Sequence, residues 1–290
     1  GEGVLETGTV STVSTVSGNV GTSAAQLSLV TVTNILTTSG NLYAETATIA
    51  ANMILNTDGA TKIVSAEVQG LTDGVGEVEV GGATTFSSAV GTSAKSLALL
   101  DIDAAATIQG SVDATTVTIA ANSTIAGTLT ATTATASSAN LGVASDIAVT
   151  NLILTAAGDT LTLSGADQSV TGIIKGDADS RGVIAVTGAK VTFETAVGIT
   201  TKAIDVMTIA DGKRAIVKNT GNFVQRIDIE DGGELEISTD VTGGVVFTTD
   251  ASFVEADVTG ADTKIFMPTN LVGGESLVLF EIYTKAAGDA

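Results

Sequence analysis

Carboxylates in pairs are the residues whose types and spacing come nearest to chemistry in this chain. Asp101 with Asp103, and Asp228 with Glu230, stand two residues apart. On an extended strand they share one face, as the acid and base of a glycosidase do. Sugar sites also need aromatic platforms, and the chain has no Trp and two Tyr. These pairs therefore read as a solvated outer face. Histidine and cysteine are absent, which excludes a Ser-His-Asp apparatus, thiol nucleophiles, and thiolate or imidazole metal sites. Ser-Lys chemistry has no spacing here that singles it out, and the chain is expected not to be an enzyme.

The segment GDADSRG (176–182) places Asp177 and Asp179 ahead of Gly182, like the opening of a calcium loop. Arg181 stands where an oxygen ligand is wanted, and no glutamate follows at the required distance, so an EF-hand is excluded. What remains is a loose surface calcium site built on Asp177 and Asp179, set against an ordinary polar turn. Calcium is the only cofactor the sequence suggests. DIEDGGELE (228–236) has the same standing, since five acids near a Gly-Gly turn also keep a strand edge soluble. GLTDGVGEVEVGG (70–82) lacks the G-K-[ST] of a phosphate loop and reads as turns. Alternate threonines in TLTATTATA (128–136) could rank hydroxyls as an ice-binding solenoid does, but the ranks are irregular and threonine is a common strand residue.

The elements that carry these residues follow from composition. Of 290 residues, 44% are hydrophobic, 3% aromatic and 15% charged. A core of Val, Ile, Leu and Ala diluted with Thr and Gly favours pleated strands over helices. Twelve basic against 32 acidic residues leave a formal charge of −20, which repels nucleic acid and anionic lipid and favours cations. No apolar stretch approaches the ~18 residues of a membrane-spanning helix. The opening GEGVLETG carries no methionine or basic, apolar leader, as expected of a chain whose leader has been removed or one cut from a longer protein.

VGTSA occurs at 20–24 and at 90–94, and TIAAN at 48–52 and 118–122. Two pentamers that recur at one and the same offset mark an internal duplication. A diverged third copy aligns TFETAVGITTKAIDVMTI (192–209) with TFSSAVGTSAKSLALLDI (85–102). Within the copies, alternating strands of three to six residues are separated by Gly, Asn, Asp or Ser. The stretch from one VGTSA to the next holds three solenoid coils of roughly 20–25 residues. The segments around Val20, Val90 and Val197 are expected at equivalent places in successive groups of coils, with Leu27, Leu97 and Ile204 pointing inward.

The string FSSAVGTSAKSLALLDIDAAATIQGSVDATTVTIAANSTIAG (86–127) resembles the low-complexity repeats of autotransporter-type passengers and related large bacterial surface proteins. That resemblance implies an all-β fold, a right-handed parallel β-solenoid (β-helix), displayed outside a Gram-negative cell. The chain departs from it by ending YTKAAGDA with no membrane barrel following. The barrel is cut away, or retention at the surface uses another route.

Ten of the twelve basic residues follow residue 170, and five of seven phenylalanines follow residue 220. The reading is a solenoid over 1–262, with repeats at about 20–55, 90–125 and 197–237, and a C-terminal cap or assembly segment over 263–290. In that segment Leu277, Leu279, Phe280, Ile282 and Tyr283 are the candidate self-assembly residues. The expected function is a non-enzymatic, extracellular bacterial structural protein that polymerises with itself into a surface layer or filament, with other cell-surface components as further partners. The alternative is an adhesin passenger holding a binding surface on a β-helical rod.

Overall fold

Alternate positions of the short strands carry Val, Ile, Leu or Ala, and these side chains turn inward, joined by a few buried hydroxyls such as Thr38, Thr57, Thr84 and Ser123, while most other Thr, Ser and charged residues face out. The computed structural model describes residues 3–8, 13–218, 222–230 and 232–237, together with strands at 255–258, 264–266 and 282–284. Among the described residues there is no helix. Every strand pairs in parallel with the strand one coil away, so the fold is an all-β parallel β-solenoid. Two compact units, Gly1–Leu141 and Gly142–Ala290, divide the chain.

Each coil of the first unit lays strands on three faces, and its core is built of columns of apolar side chains stacked in register, of which one on each face shows the pattern. Leu42, Val64, Phe86, Ile108 and Ile125 form one column. Val30, Ala47, Val68, Val90, Val112 and Leu129 form the second. Leu36, Leu55, Val78, Leu100, Val117 and Ala134 form the third. All are buried, and a Leu, Val, Ile or Phe in such a column contributes roughly 1.5–3 kcal/mol. In the second unit, side chains stack in register along Leu161–Ile184–Met207–Ile227, Gln168–Val191–Ala215–Leu235 and Leu152–Ile174–Val197.

Corners between faces leave backbone N–H groups without a ladder partner, and Asn or Asp side chains of the preceding coil accept them. Asn19 Oδ1 accepts the N–H of Asn41 (2.9 Å), and Asn41 Oδ1 that of Ile63 (2.9 Å). Asn122 serves Asn140 (2.8 Å) and Asp146 serves Ser169 (2.8 Å) in the same way.

The VGTSA copies build one local structure. Gly21, Gly91 and Gly198 have φ of 72°, 79° and 72°. Four residues close each loop, through Thr22–Ala25, Thr92–Lys95 and Ile199–Lys202 bridges. A Cβ on any of these glycines would overlap the carbonyl oxygen one coil further on, of Tyr43, Asp113 and Phe223 respectively. Leu97 and Ile204 are fully buried, and Leu27 is half-buried.

The placement of the copies differs from the sequence expectation in one respect. Val20 stands in the column of Leu42, whereas Val90 stands in the next column, between Val68 and Val112. Three coils of equal length run from Val20 through Leu42 and Val64 to Phe86. The four residues from there to Val90 carry the chain round a corner. The duplication is thus three coils plus one face. Coil length itself varies: the coil from Ile108 to Ile125 lacks the loop and is shorter than the one from Phe86 to Ile108.

One inward position carries a long polar side chain in both units. Lys62 is 2% exposed, and its only hydrogen-bond acceptor among the described residues is the Ala60 carbonyl, 2.9 Å from Nζ. At the matching corner of the second unit stands Gln168, 1% exposed. Gln168 donates to the carbonyls of Val143 (3.3 Å) and Ser145 and accepts from the Gly165 N–H (3.1 Å). An ammonium has three donors to satisfy and a charge to desolvate, whereas the amide is neutral and can meet both its donors and its acceptor here. Lys62→Gln is therefore expected to stabilise the protein by roughly 1–3 kcal/mol, read as a rise in thermal midpoint. A fall would show that the lysine is better accommodated than this geometry indicates.

Candidate functional surface

The most built-up part of the described surface is a pair of loops stacked on successive coils, and it occurs once in each unit. In the first, GLTDGVG (70–76) leaves its strand at Gly70, and the VGTSA loop of the next coil lies on it. Gly70 N–H donates to the Lys95 carbonyl (3.3 Å), Gly74 N–H to the Ser96 carbonyl (3.1 Å) and hydroxyl (3.1 Å). Asp73 Oδ1 accepts the Ser96 N–H (3.0 Å) and its Oγ–H (2.6 Å). These bonds hold the Asp73 carboxyl below the usual carboxylate range: the Ser96 hydroxyl contributes most, followed by the Ser96 N–H, with Gly74 adding less.

GDADSRG (176–182) repeats this construction. Gly176 N–H donates to the Lys202 carbonyl (3.3 Å), and Asp179 Oδ1 accepts the Ala203 N–H (3.1 Å). Gly76 and Gly182 close the two loops at φ 79° and 78°, each lying on an inward side chain, Ile49 or Leu154. Both loops fit G-x-x-D-x-x-G, and they lie nearly as far apart in the chain as the VG segments that follow them. Extending the alignment of the third copy to residues before 85 would have found this match. Its signal is short and surrounded by glycine, which is why reading from Val90 and Val197 alone missed it.

Asp177 and Asp179 accordingly have protein partners. Asp177 faces Arg181 at 3.9 Å, and Asp179 also receives the Gln225 side-chain amide at 3.5 Å. Among the described residues, no group of three or more acidic side chains is gathered closely enough to hold a metal ion. In 228–236 the acids are likewise engaged. Asp228 pairs with Arg226 (2.9 Å), Glu230 accepts the Asp211 N–H (3.2 Å), and Arg214 pairs with Glu234 (3.9 Å) and Glu236. Asp231 lies outside the described residues.

Asp101 does meet other acids, across coils rather than along its strand. It pairs in register with Glu79, with Asn56 beyond Glu79 and Thr118 beyond Asp101 in the same outward column. Asn56 Nδ2 donates to Glu79 Oε2 (3.2 Å), and Thr118 Oγ1 donates to Asp101. Burial first, then the charges of Asp103, Asp101, Asp58 and Glu77, push the Glu79 carboxyl up. An acid whose folded value is raised opposes folding while ionised, so stability is gained as the pH falls through that value. Glu79→Gln is expected to stabilise the protein by about 0.2–1 kcal/mol at neutral pH. The gain should vanish in thermal scans run where Glu79 is already protonated; a gain that persisted there would exclude charge as its cause.

In 128–136, Thr133 and Thr135 pair with Thr116 and Thr118, making two ranks of hydroxyls in this unit. The coil before them presents Leu99 and Asp101 at the same positions, which ends the pattern. Of the candidate assembly residues, Leu277, Leu279 and Phe280 lie outside the described residues. Ile282 and Tyr283 lie on the strand Ile282–Thr284, paired in parallel with Glu255–Val258.

No protein-family model matches the chain, and searches of curated proteins and of solved structures found no match.

Proposed function

We propose that the chain is a non-enzymatic structural subunit on the outside of a bacterial cell, which assembles with copies of itself into a filament or layer. The observation that carries this reading is the openness of the sheets. Among the described residues, Val4–Glu6 and Ser14–Val16 in the first unit each have one backbone edge with no partner strand, and in the second unit so do Lys264–Phe266 and Ile282–Thr284. Such edges present donors and acceptors at strand spacing, and they template a further parallel strand unless covered. Val4 is 65% exposed, which adds an apolar contribution at one of these edges. Contacts between unlike ends propagate into an extended assembly unless rotation closes a ring.

The adhesin reading has one observation in its favour, the two exposed loop pairs at 70–76 with 91–96 and 176–182 with 198–203. The test compares the full chain with one ending at Gly260, by sedimentation and electron microscopy, with and without calcium. Assembly of the full chain alone supports the structural reading and the role of 263–290. A full chain that stays monomeric at high concentration, calcium included, overturns self-assembly. Equal assembly by both chains removes the C-terminal segment from it.

A further inference from the structure

We propose that the loop at 70–76 is an acid-released strap, held against the next coil by the Asp73 carboxylate and freed when that carboxylate takes up a proton. Residues 71–74 are exposed, with Leu71 at 47%. Among the described residues, their side-chain tether to the next coil is Asp73, which engages both donors of Ser96. Protonation removes the charge that makes these two bonds strong and leaves the N–H bonds of Gly70 and Gly74 to Lys95 and Ser96 as the hold on the next coil, with Leu71 N–H still on the Ile49 carbonyl (2.8 Å) of the coil beneath. Gly76 rests on Ile49, so the loop hinges over the inward side chains at that corner.

The sign follows from the bonding. A carboxyl held below its ordinary range stabilises the strapped form above that range, and the stabilisation is lost as the pH falls through the lowered value. Among the described residues, Lys95 and Asp113 are the titratable groups nearest this corner. Lys95 belongs to the overlying loop, where its backbone carbonyl accepts the Gly70 N–H. Asp113, one coil further on, is pushed up by burial and then by the Asp73 charge. It therefore takes its proton before Asp73 does, relieving repulsion before the strap lets go. The second unit supplies an internal comparison, because Ala203 has no hydroxyl to match Ser96 and Asp179 is tethered to it by the N–H alone.

Hydrogen exchange followed by mass spectrometry on the full chain, corrected for intrinsic rates, tests this at about pH 6 and about pH 2. The expected result is a loss of protection of about tenfold or more in 70–76 and at Ser96, with Leu100 and Val117 still protected. Asp73→Asn should give the same modest protection at both pH values, and Asp113→Asn should keep the wild-type response. An unchanged loop, a fall shared by Leu100 and Val117, or an Asp73→Asn chain that still responds to acid would each overturn the strap.

Discussion

Gly91→Asn is expected to destabilise the protein by at least about 3 kcal/mol, while Gly212→Asn costs little. Both glycines have positive φ, 79° and 63°, and asparagine is among the side chains that accept that conformation. Backbone strain alone would therefore make the two changes alike. They differ in space. A Cβ at Gly212 meets nothing within 4 Å, whereas at Gly91 it would overlap the backbone of Asp113 in the next coil. Relief requires prising apart two stacked coils, since a carbonyl in a ladder cannot swing away as a side chain can. Denaturant unfolding should show the lower midpoint at an unchanged slope for Gly91→Asn. Equal midpoints for the two variants would show that the coils are not stacked this closely at the loop.

Leu97→Asp should cost about 4 kcal/mol or more, and Leu27→Asp much less, although both residues hold the same place in the repeat. Leu97 is fully buried beside Ala114, in the aliphatic interior of the coil. An ionised carboxylate there is desolvated without a partner. Leu27 is half-buried, so its replacement keeps contact with water. Chemical denaturation of the two variants separates the effect of burial from that of residue type. A large loss for Leu27→Asp alone would reverse the inward and outward faces argued above.

The solenoid was legible because its information is local: alternation gives strands, and glycine, asparagine and aspartate give corners. Coil length was less legible. The coil from Ile108 to Ile125 is markedly shorter than the one from Leu161 to Ile184, and no single spacing in the sequence shows where each corner falls. The acidic column illustrates the cost. Asp101 and Asp103 are near neighbours in any reading, but the partner that matters is Glu79, which comes opposite Asp101 only when the intervening coil keeps its loop and its full length. Lys62 was missed for a related reason. Alternation with Val64, Ala66 and Val68 points it inward, yet its charge argues for a surface place, and a corner with a carbonyl at hand resolves the conflict. Asp177 and Asp179 drew attention as a pair, whereas in the fold they have separate partners and Asp179 belongs with Asp73.

The duplication and the coil do not share a common measure. Moving on by one duplication turns the VGTSA loop from the Leu42 column to the Val68 column, as a vernier scale slips against its rule. Copying the same stretch of gene again would set each new loop one side further round, and the fourth would lie above the first. Growth by tandem copying, with no change in any loop residue, would thus convert a one-sided molecule into one studded on every side.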